Sequence, residues 1–217
     1  MTQRHKLFIG GAWVEAESGK TFPVHNPATE EEIGQAALGG PADVDKAVRA
    51  AMDTFPAWAR MPQSQRAKIV YRIGAAIREA GDDLVDLEVG EHGTPIAMAR
   101  GFVAAAAESA EYQASISRAL MGQVLNAFPD ATVYLQRVPI GVCAVITPWN
   151  VPLMMMAAMV TPALVTGNTV VLKPASVNSL LAVKFTEVLE GVGLPAGVMN
   201  LVTGPGGSVG EALAAHP

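Results

Sequence analysis

The chain has little of several residue types, and each scarcity excludes classes of protein. Only one of its 217 residues is a cysteine, Cys143, so no disulfide can form within the chain and a reducing compartment, the cytoplasm, is expected. Basic residues are the minority, with 15 Lys and Arg against 20 Asp and Glu, and the net charge of −5 argues against a nucleic-acid partner. The four histidines are scattered without metal-ligand spacing, so no metal is expected.

Long apolar runs are also scarce. Residues 151–166 are almost all apolar, but Pro152 and Pro162 interrupt them. The run is shorter than the roughly 20 residues that a membrane-spanning helix needs. The N-terminus lacks the apolar stretch of a signal peptide. A buried helix, in a protein without a membrane partner, is therefore expected.

What the chain does have is enough apolar material for a sizeable core. Half of its residues are hydrophobic, and the mean hydropathy is +0.29. A length of 217 residues suits one large domain, or one domain with a small appendage.

Residues 1–120 read as a short β region followed by helices. Gly-Gly, Ser-Gly and Asn-Pro pairs divide the first forty residues as in a hairpin. Apolar residues then recur every three or four positions, which predicts helices from Pro41, over 63–80 with Gly81 as a C-cap, over a short segment ending at Gly93, and over about 95–120.

Residues 121–140 differ in sequence pattern from the segments before and after them. A Phe-Pro-Asp turn at 128–130 and the β-rich segment ATVYLQRV predict a hairpin that leaves the main body. Such an arm is usually a packing or oligomer element, and we assign it no chemistry.

Residues 141–217 alternate apolar strands with helices. Strands are predicted over 141–147, 169–174 and 198–204, and helices over 152–166, 178–190 and from 207 onward. This order is typical of an α/β fold with a doubly wound, Rossmann-like parallel sheet covered on both faces. Ligands of such sheets bind at the carboxyl ends of the strands, so a nucleotide site is predicted there.

Three polar side chains follow these strands. Asn150 either donates to an oxyanion that forms during a reaction or caps the next helix, and the spacing alone favours the cap. Lys173 either reaches a ribose or a phosphate, or is an ordinary lysine at a strand end. Ser176 either bonds a ribose or caps the helix that begins near 178.

Two further features carry weaker signals. The loop from Gly204 to Gly210 reads G-x-G-x-x-x-G, one residue longer than the usual dinucleotide fingerprint, although strand–helix turns are often rich in glycine. Cys143 has apolar neighbours and no nearby base, so it is interpreted as a small core residue. The methionines at 154–156 are interpreted as packing residues, or as an adaptable pocket wall.

Taken together in order and spacing, these segments resemble the aldehyde dehydrogenase superfamily along essentially the whole chain. The motifs that carry the resemblance are FIGGAWV, FPVHNPATEEEIG, RVPIGVCAVITPWNVPL, GNTVVLKPAS and GLPAGVMNLVTGPGGSVGEALAAHP. The family oxidises aldehydes to carboxylic acids through a cysteine thiohemiacetal, and it uses NAD or NADP.

The resemblance implies a role for each candidate residue. Asn150 is implied as the side-chain donor of the oxyanion hole, against the capping interpretation. The implied cofactor-binding residues are Ile146, Thr147, Pro148 and Trp149 at the nicotinamide end, Lys173, Pro174, Ala175 and Ser176 at the adenosine ribose, and Gly206 and Gly210 beside the adenine and pyrophosphate. Val151, Met155 and Ala158 are implied as substrate-binding residues. The chain divides accordingly into 1–120, the oligomerisation hairpin 121–140 and the cofactor-binding core 141–217, in a homo-oligomer (dimer or tetramer).

Two departures from the family pattern modify these expectations. Many NAD-preferring members carry a glutamate where this chain has Ser176, so NADP is expected to bind at least as well as NAD. Small side chains at Val151 and Ala158 replace aromatic residues, which suggests a wider tunnel for bulkier aldehydes.

The family's catalytic cysteine and general-base glutamate are expected beyond Pro217. The main hypothesis is therefore the N-terminal part of an aldehyde dehydrogenase that is inactive by itself. The alternative is a stand-alone, non-catalytic nucleotide-binding or oligomer-interaction module.

Overall fold

The computed structural model describes residues 3–217 and contains three sheets among seven helices. The strands are β1 (Arg4–His5), β2 (Leu7–Ile9), β3 (Ala12–Val14), β4 (Thr21–His25), β5 (Glu32–Ala37), β6 (Gln123–Phe128), β7 (Ala131–Leu135), β8 (Val142–Ile146), β9 (Thr169–Lys173) and β10 (Met199–Leu201). The helices are α1 (Pro41–Arg60), α2 (Gln63–Glu79), α3 (Gly81–His92), α4 (Ile96–Ile116), α5 (Pro152–Val165), α6 (Ser179–Gly191) and α7 (Glu211–Ala214).

The central sheet has the order β3-β2-β10-β9-β8. β8, β9 and β10 are parallel, with Ile146 opposite Lys173 and Leu201 opposite Leu172. The predicted β-α-β-α-β arrangement is therefore confirmed. β2 and β3 extend the sheet in antiparallel fashion, so the sheet is mixed rather than purely parallel, because the N-terminal hairpin pairs with β10.

Alternate side chains of β9 enter two separate cores. Val170 and Leu172 pack into the core built from α2, α4, α5 and α6, whereas Val171 packs into the core formed with α1 and α7. Successive side chains of a strand point to opposite faces, so helices must cover both sides of this sheet. All five residues of β9 are buried, as expected for a strand with β8 on one side and β10 on the other.

The predicted helices are present, with some boundaries corrected. The helix predicted from 207 onward begins as a π-helical turn, Gly206–Gly210, before α7, and the helix predicted to about 120 ends in a 3₁₀ turn, Ser117–Ala119, after α4. α3 ends at His92, and its C-cap residue Gly93 has a φ of 77°, the left-handed conformation that glycine adopts readily. Gly81 is not a C-cap but the first residue of α3, because α2 already ends at Glu79. Within residues 3–217, no helix is both long and apolar enough to cross a membrane.

The predicted buried strand over 141–147 is only partly buried. β8 is the last strand of the central sheet, and Ala144 and Ile146 are exposed. Cys143 is half-buried against the larger core rather than enclosed by it. An edge strand packs on fewer neighbours than an interior strand such as β9, which accounts for this difference.

The hairpin predicted within 121–140 is confirmed. β6 and β7 pair only with each other among the described strands, with Phe128 opposite Ala131 at the turn. Every residue of both strands is exposed, so the hairpin projects from the two cores.

Candidate cofactor and oxyanion site

The carboxyl ends of the three parallel strands lie together. The backbone N–H of Thr147 donates to the carbonyl of Lys173 over 3.0 Å, which joins the end of β8 to the end of β9. The Ser176 hydroxyl donates to the carbonyl of Gly204 over 3.0 Å, which joins the loop after β9 to the loop after β10. The loops in which the sequence places its candidate residues therefore form one continuous rim.

Lys173 is a buried cation on this rim. Its side chain is only 3% exposed, and Nζ donates to the carbonyl of Pro174 over 2.6 Å. Burial lowers the pKa of the Lys173 ammonium, because the charged form loses water. No carboxylate within residues 3–217 pairs with it, so the ammonium suits a ligand hydroxyl or phosphate oxygen.

Asn150 does not cap the following helix. Val151 is the N-cap residue of α5, and no side chain at this position makes a capping bond. Asn150 is exposed, and its amide has no hydrogen-bond partner among the described residues. The capping interpretation is therefore wrong, and the amide is available to donate to a ligand oxygen.

The turn between β8 and Asn150 combines exposed and buried groups. Ile146 and Trp149 are 42% and 62% exposed, and Pro148 is exposed as well. The Thr147 side chain is buried, yet its hydroxyl has no partner within the described part of the chain. A buried hydroxyl without a partner costs free energy.

The loop after β9 begins with buried Pro174 and half-buried Ala175. Ser176 starts a single 3₁₀ turn, Ser176–Asn178, and its hydroxyl bonds Gly204 rather than the first turn of α6. The interpretation of Ser176 as a helix cap is therefore wrong. The N-cap residue of α6 is Asn178, whose fully buried amide group makes no capping bond and has no partner among residues 3–217.

The glycine-rich loop has one position that excludes a side chain and one that is open. Gly204 has a φ of 148°, and a Cβ there would lie 2.6 Å from Val209 Cγ2. Gly206 begins one turn of π-helix, Gly206–Gly210, and a Cβ there would meet nothing within 4 Å. A Cβ on Gly210 would lie 3.6 Å from Lys173 Cε. The open space over Gly206 allows a ligand to approach the backbone closely.

The proposed tunnel residues form one row that runs from the N-cap residue Val151 into α5. Val151, Met155 and Ala158 are all half-buried, and their spacing of four and three residues places them in a row. The opposite face is fully buried through Leu153 and Met156. This row is therefore the accessible side of the helix that follows Asn150.

Sequence reasoning missed two glutamates beneath the rim. Glu88 and Glu91 lie three residues apart on α3, with 0% and 3% of their surfaces exposed. Glu91 accepts hydrogen bonds from the backbone N–H groups of Leu180 and Leu181 over 2.7 and 2.8 Å. Burial raises the pKa of both carboxyl groups, and that of Glu91 rises to about 8. The sequence signal that could have revealed them is their spacing of three residues, which is the spacing of buried apolar residues in an amphipathic helix.

Cys143 is not set up as a nucleophile. It lies in the middle of β8, and burial raises the pKa of its thiol, which disfavours the reactive thiolate. No group of three or more potential metal ligands lies together in the part of the chain that the structure describes.

Residues 13–217 match the model of the aldehyde dehydrogenase family, and the chain therefore belongs to this family. The phenylacetaldehyde dehydrogenase of Pseudomonas fluorescens is 41% identical over 222 aligned residues, which cover 98% of this chain and 44% of that protein. The resemblance inferred from the sequence motifs is thus confirmed.

Solved structures agree with this assignment. HpcC from Thermus thermophilus is 41% identical with a TM-score of 0.95, and the match covers 99% of this chain and 42% of HpcC. PnpE from Pseudomonas sp. WBC-3 is 37% identical with a TM-score of 0.95, over 98% of this chain and 44% of PnpE. PnpE has also been solved in complex with nicotinamide adenine dinucleotide. The chain spans less than half the length of these relatives.

Proposed function

We propose that these residues form the cofactor-binding and oxyanion-stabilising part of an NAD(P)-dependent aldehyde dehydrogenase, which oxidises an aldehyde to a carboxylic acid. The observation that carries this proposal is the continuous rim on which the free amide of Asn150, the buried ammonium of Lys173 and the open backbone at Gly206 lie. Asn150 would serve the oxygen of the aldehyde, Lys173 the ribose or phosphate of the cofactor, and Gly206 the close approach of the cofactor to the backbone.

The cofactor would lie along the carboxyl ends of the three parallel strands. Lys173 and the residues Pro174, Ala175 and Ser176 would hold the adenosine ribose, and Gly206 and Gly210 would lie beside the adenine and pyrophosphate. Ile146, Thr147, Pro148 and Trp149 would line the nicotinamide end. When bound, the nicotinamide supplies the hydride acceptor of the oxidation.

Asn150 would act on the aldehyde itself. Attack on the aldehyde carbonyl places negative charge on its oxygen, and a neutral amide fixed before the attack can stabilise that charge. Val151, Met155 and Ala158 would form an apolar wall for the aldehyde's side chain, and two small residues among them favour bulkier substrates.

The attacking thiolate would come from outside these 217 residues. Cys143 is the one cysteine of the chain, and its thiol lies within β8 with a raised pKa. We therefore expect the chain alone to bind cofactor but not to oxidise aldehydes. Oxidation by the purified chain would contradict this expectation.

Ser176 bears on the choice between cofactors. Its hydroxyl already bonds Gly204, and no acidic side chain follows Lys173 within the loop at 174–178. A 2′-phosphate therefore meets a lysine and no opposing carboxylate in this loop, so NADP should bind at least as well as NAD.

The projecting hairpin would serve assembly of a homo-oligomer. Three of its large apolar side chains, Val124, Phe128 and Tyr134, are 60%, 62% and 72% exposed. Apolar surface of this extent is typical of protein–protein contacts.

Replacing one open glycine tests the cofactor site. Gly206→Ala adds a methyl group where no atom lies within 4 Å, so the fold should tolerate it. The same methyl group would occupy the space of the proposed ligand and weaken cofactor binding by about tenfold or more.

Gly101→Ala is the matched control, because Gly101 is exposed on α4 with nothing within 4 Å of its added Cβ. NAD and NADP would be titrated calorimetrically against both variants and the unaltered chain at one ionic strength. Equal affinities in all three proteins, or no binding by the unaltered chain, would overturn the proposed site.

A further inference from the structure

Two buried carboxyl groups of α3 hold the first turns of the two helices that leave the rim. Glu91 takes the N–H groups of Leu180 and Leu181 at the start of α6, one to each oxygen. Glu88 takes the N–H of Leu153 at the start of α5, over 3.3 Å. A single element, α3, therefore fixes both helix starts.

These bonds replace ordinary helix caps. The first N–H groups of a helix have no partner within it, and a side-chain oxygen at the N-cap position usually accepts from them. Val151 has no such oxygen, and Asn178 makes no capping bond although its type is suitable. Glu88 and Glu91 supply the missing acceptors from a distant part of the chain.

The capping arrangement is energetically demanding, which bears on its purpose. A local Ser or Asp at each N-cap would satisfy the same N–H groups in partial contact with water. Burying two carboxyl groups side by side costs more than such a cap. In return, the distant acceptors fix the position of one helix start relative to the other.

Glu88 is also connected to the turn that carries Asn150. Its second oxygen accepts from the Thr94 hydroxyl over 3.2 Å, and that hydroxyl lies 2.7 Å from His92 Nδ1. The His92 ring stacks obliquely on Trp149, with 6.3 Å between the ring centroids. Glu88 is thus linked to both sides of the Asn150 turn. It bonds Leu153, after Asn150, directly, and it is connected through Thr94 and His92 to Trp149, just before Asn150.

We propose that Glu88 and Glu91 are positioning residues of the site, Glu88 for the Asn150 turn and Glu91 for the loop at 174–178. This proposal rests on the proposed function and assigns each glutamate to one end of the cofactor. Leu153 follows Asn150 by three residues and Leu180 follows Ser176 by four, so a shift of either helix start moves the adjacent loop. Misplacement of a reacting group by about 1 Å can cost about a hundredfold in rate.

The test compares two variants of an active enzyme that contains these residues. Each variant should change one measured quantity and leave the other unchanged. Glu91→Gln should weaken binding of the probe 5′-AMP by about tenfold and leave kcat at saturating cofactor within about twofold. Glu88→Gln should lower kcat by about tenfold and leave the Kd for 5′-AMP within about twofold.

Thr94→Val is a second variant for the case that Glu88→Gln does not fold. It should fold because it removes only the hydroxyl between Glu88 and His92. It should lower kcat and leave 5′-AMP binding unchanged. Parallel losses of kcat and 5′-AMP binding in all variants, or none in any, would show a purely structural role and overturn the proposal. If the unaltered 217-residue chain binds neither cofactor nor 5′-AMP, the proposed function is overturned as well.

Discussion

Replacing Glu91 by glutamine should remove a pH dependence from the stability of the fold. Burial is the main cause that raises the pKa of Glu91 to about 8, and the neighbouring Glu88 carboxylate adds to the rise. The N–H groups of Leu180 and Leu181 act in the opposite direction. In the unfolded chain the same carboxyl group titrates near its ordinary value of 4.5.

The sign follows from proton binding. Between pH 4.5 and about 8 the folded state keeps a proton that the unfolded chain has released, so the free energy of unfolding falls as the pH rises. The stabilisation is complete below the unfolded pKa and is lost as the pH rises through the folded pKa. Because one pKa unit corresponds to about 1.4 kcal/mol, the loss between pH 6 and pH 8 should be about 2 to 3 kcal/mol.

Urea denaturation followed by circular dichroism at pH 6, 7, 8 and 9 measures this effect. Glu91→Gln cannot titrate, so its free energy of unfolding relative to the unaltered chain should improve by about 2 to 3 kcal/mol from pH 6 to pH 8. Glu88→Gln, which retains Glu91, should keep most of the dependence. Parallel pH profiles of the unaltered chain and Glu91→Gln would refute the reasoning.

Three further substitutions test the proposed roles. Asn150→Ala should change the free energy of unfolding by less than about 0.5 kcal/mol, yet lower kcat of an active enzyme that contains these residues by about 100- to 1,000-fold. Unchanged kcat would contradict the oxyanion role. Ser176→Glu should shift the NADP-to-NAD ratio of dissociation constants towards NAD by about tenfold, because it adds a negative charge beside the 2′-phosphate; an unmoved ratio would contradict that placement. Phe128→Asp should lower the mass measured by light scattering, whereas Met52→Asp, at another exposed apolar position, should not. Equal masses for both variants would exclude the hairpin as the oligomer contact.

The helices and parallel strands were predictable because local chemistry determines them. Apolar spacing of three and four residues located α1, α2 and α4, and continuous apolar runs located β9 and the neighbouring strands. The boundary at Gly81 was not predictable from these rules. A glycine can end one helix or begin the next, and the choice depends on how α2 and α3 pack.

Part of the candidate site could also be predicted from the sequence. The rule that ligands meet parallel strands at their carboxyl ends selected the loops at Asn150, Ser176 and Gly206. The capping interpretations of Asn150 and Ser176 were wrong, because α5 begins with Val151 as its N-cap and the Ser176 hydroxyl reaches Gly204 instead. Both outcomes depend on contacts or backbone angles that spacing does not specify.

The sequence by itself determined the family, the alternation of strands and helices, and the loops that carry polar side chains. Only the tertiary structure showed that β8 is a half-exposed edge, and that Glu88 and Glu91 lie beneath the rim. Glu91 and Leu180 are 89 residues apart in the chain. A hydrogen bond over such a separation depends on how whole elements pack, whereas periodicity and motif spacing record only what neighbouring residues do.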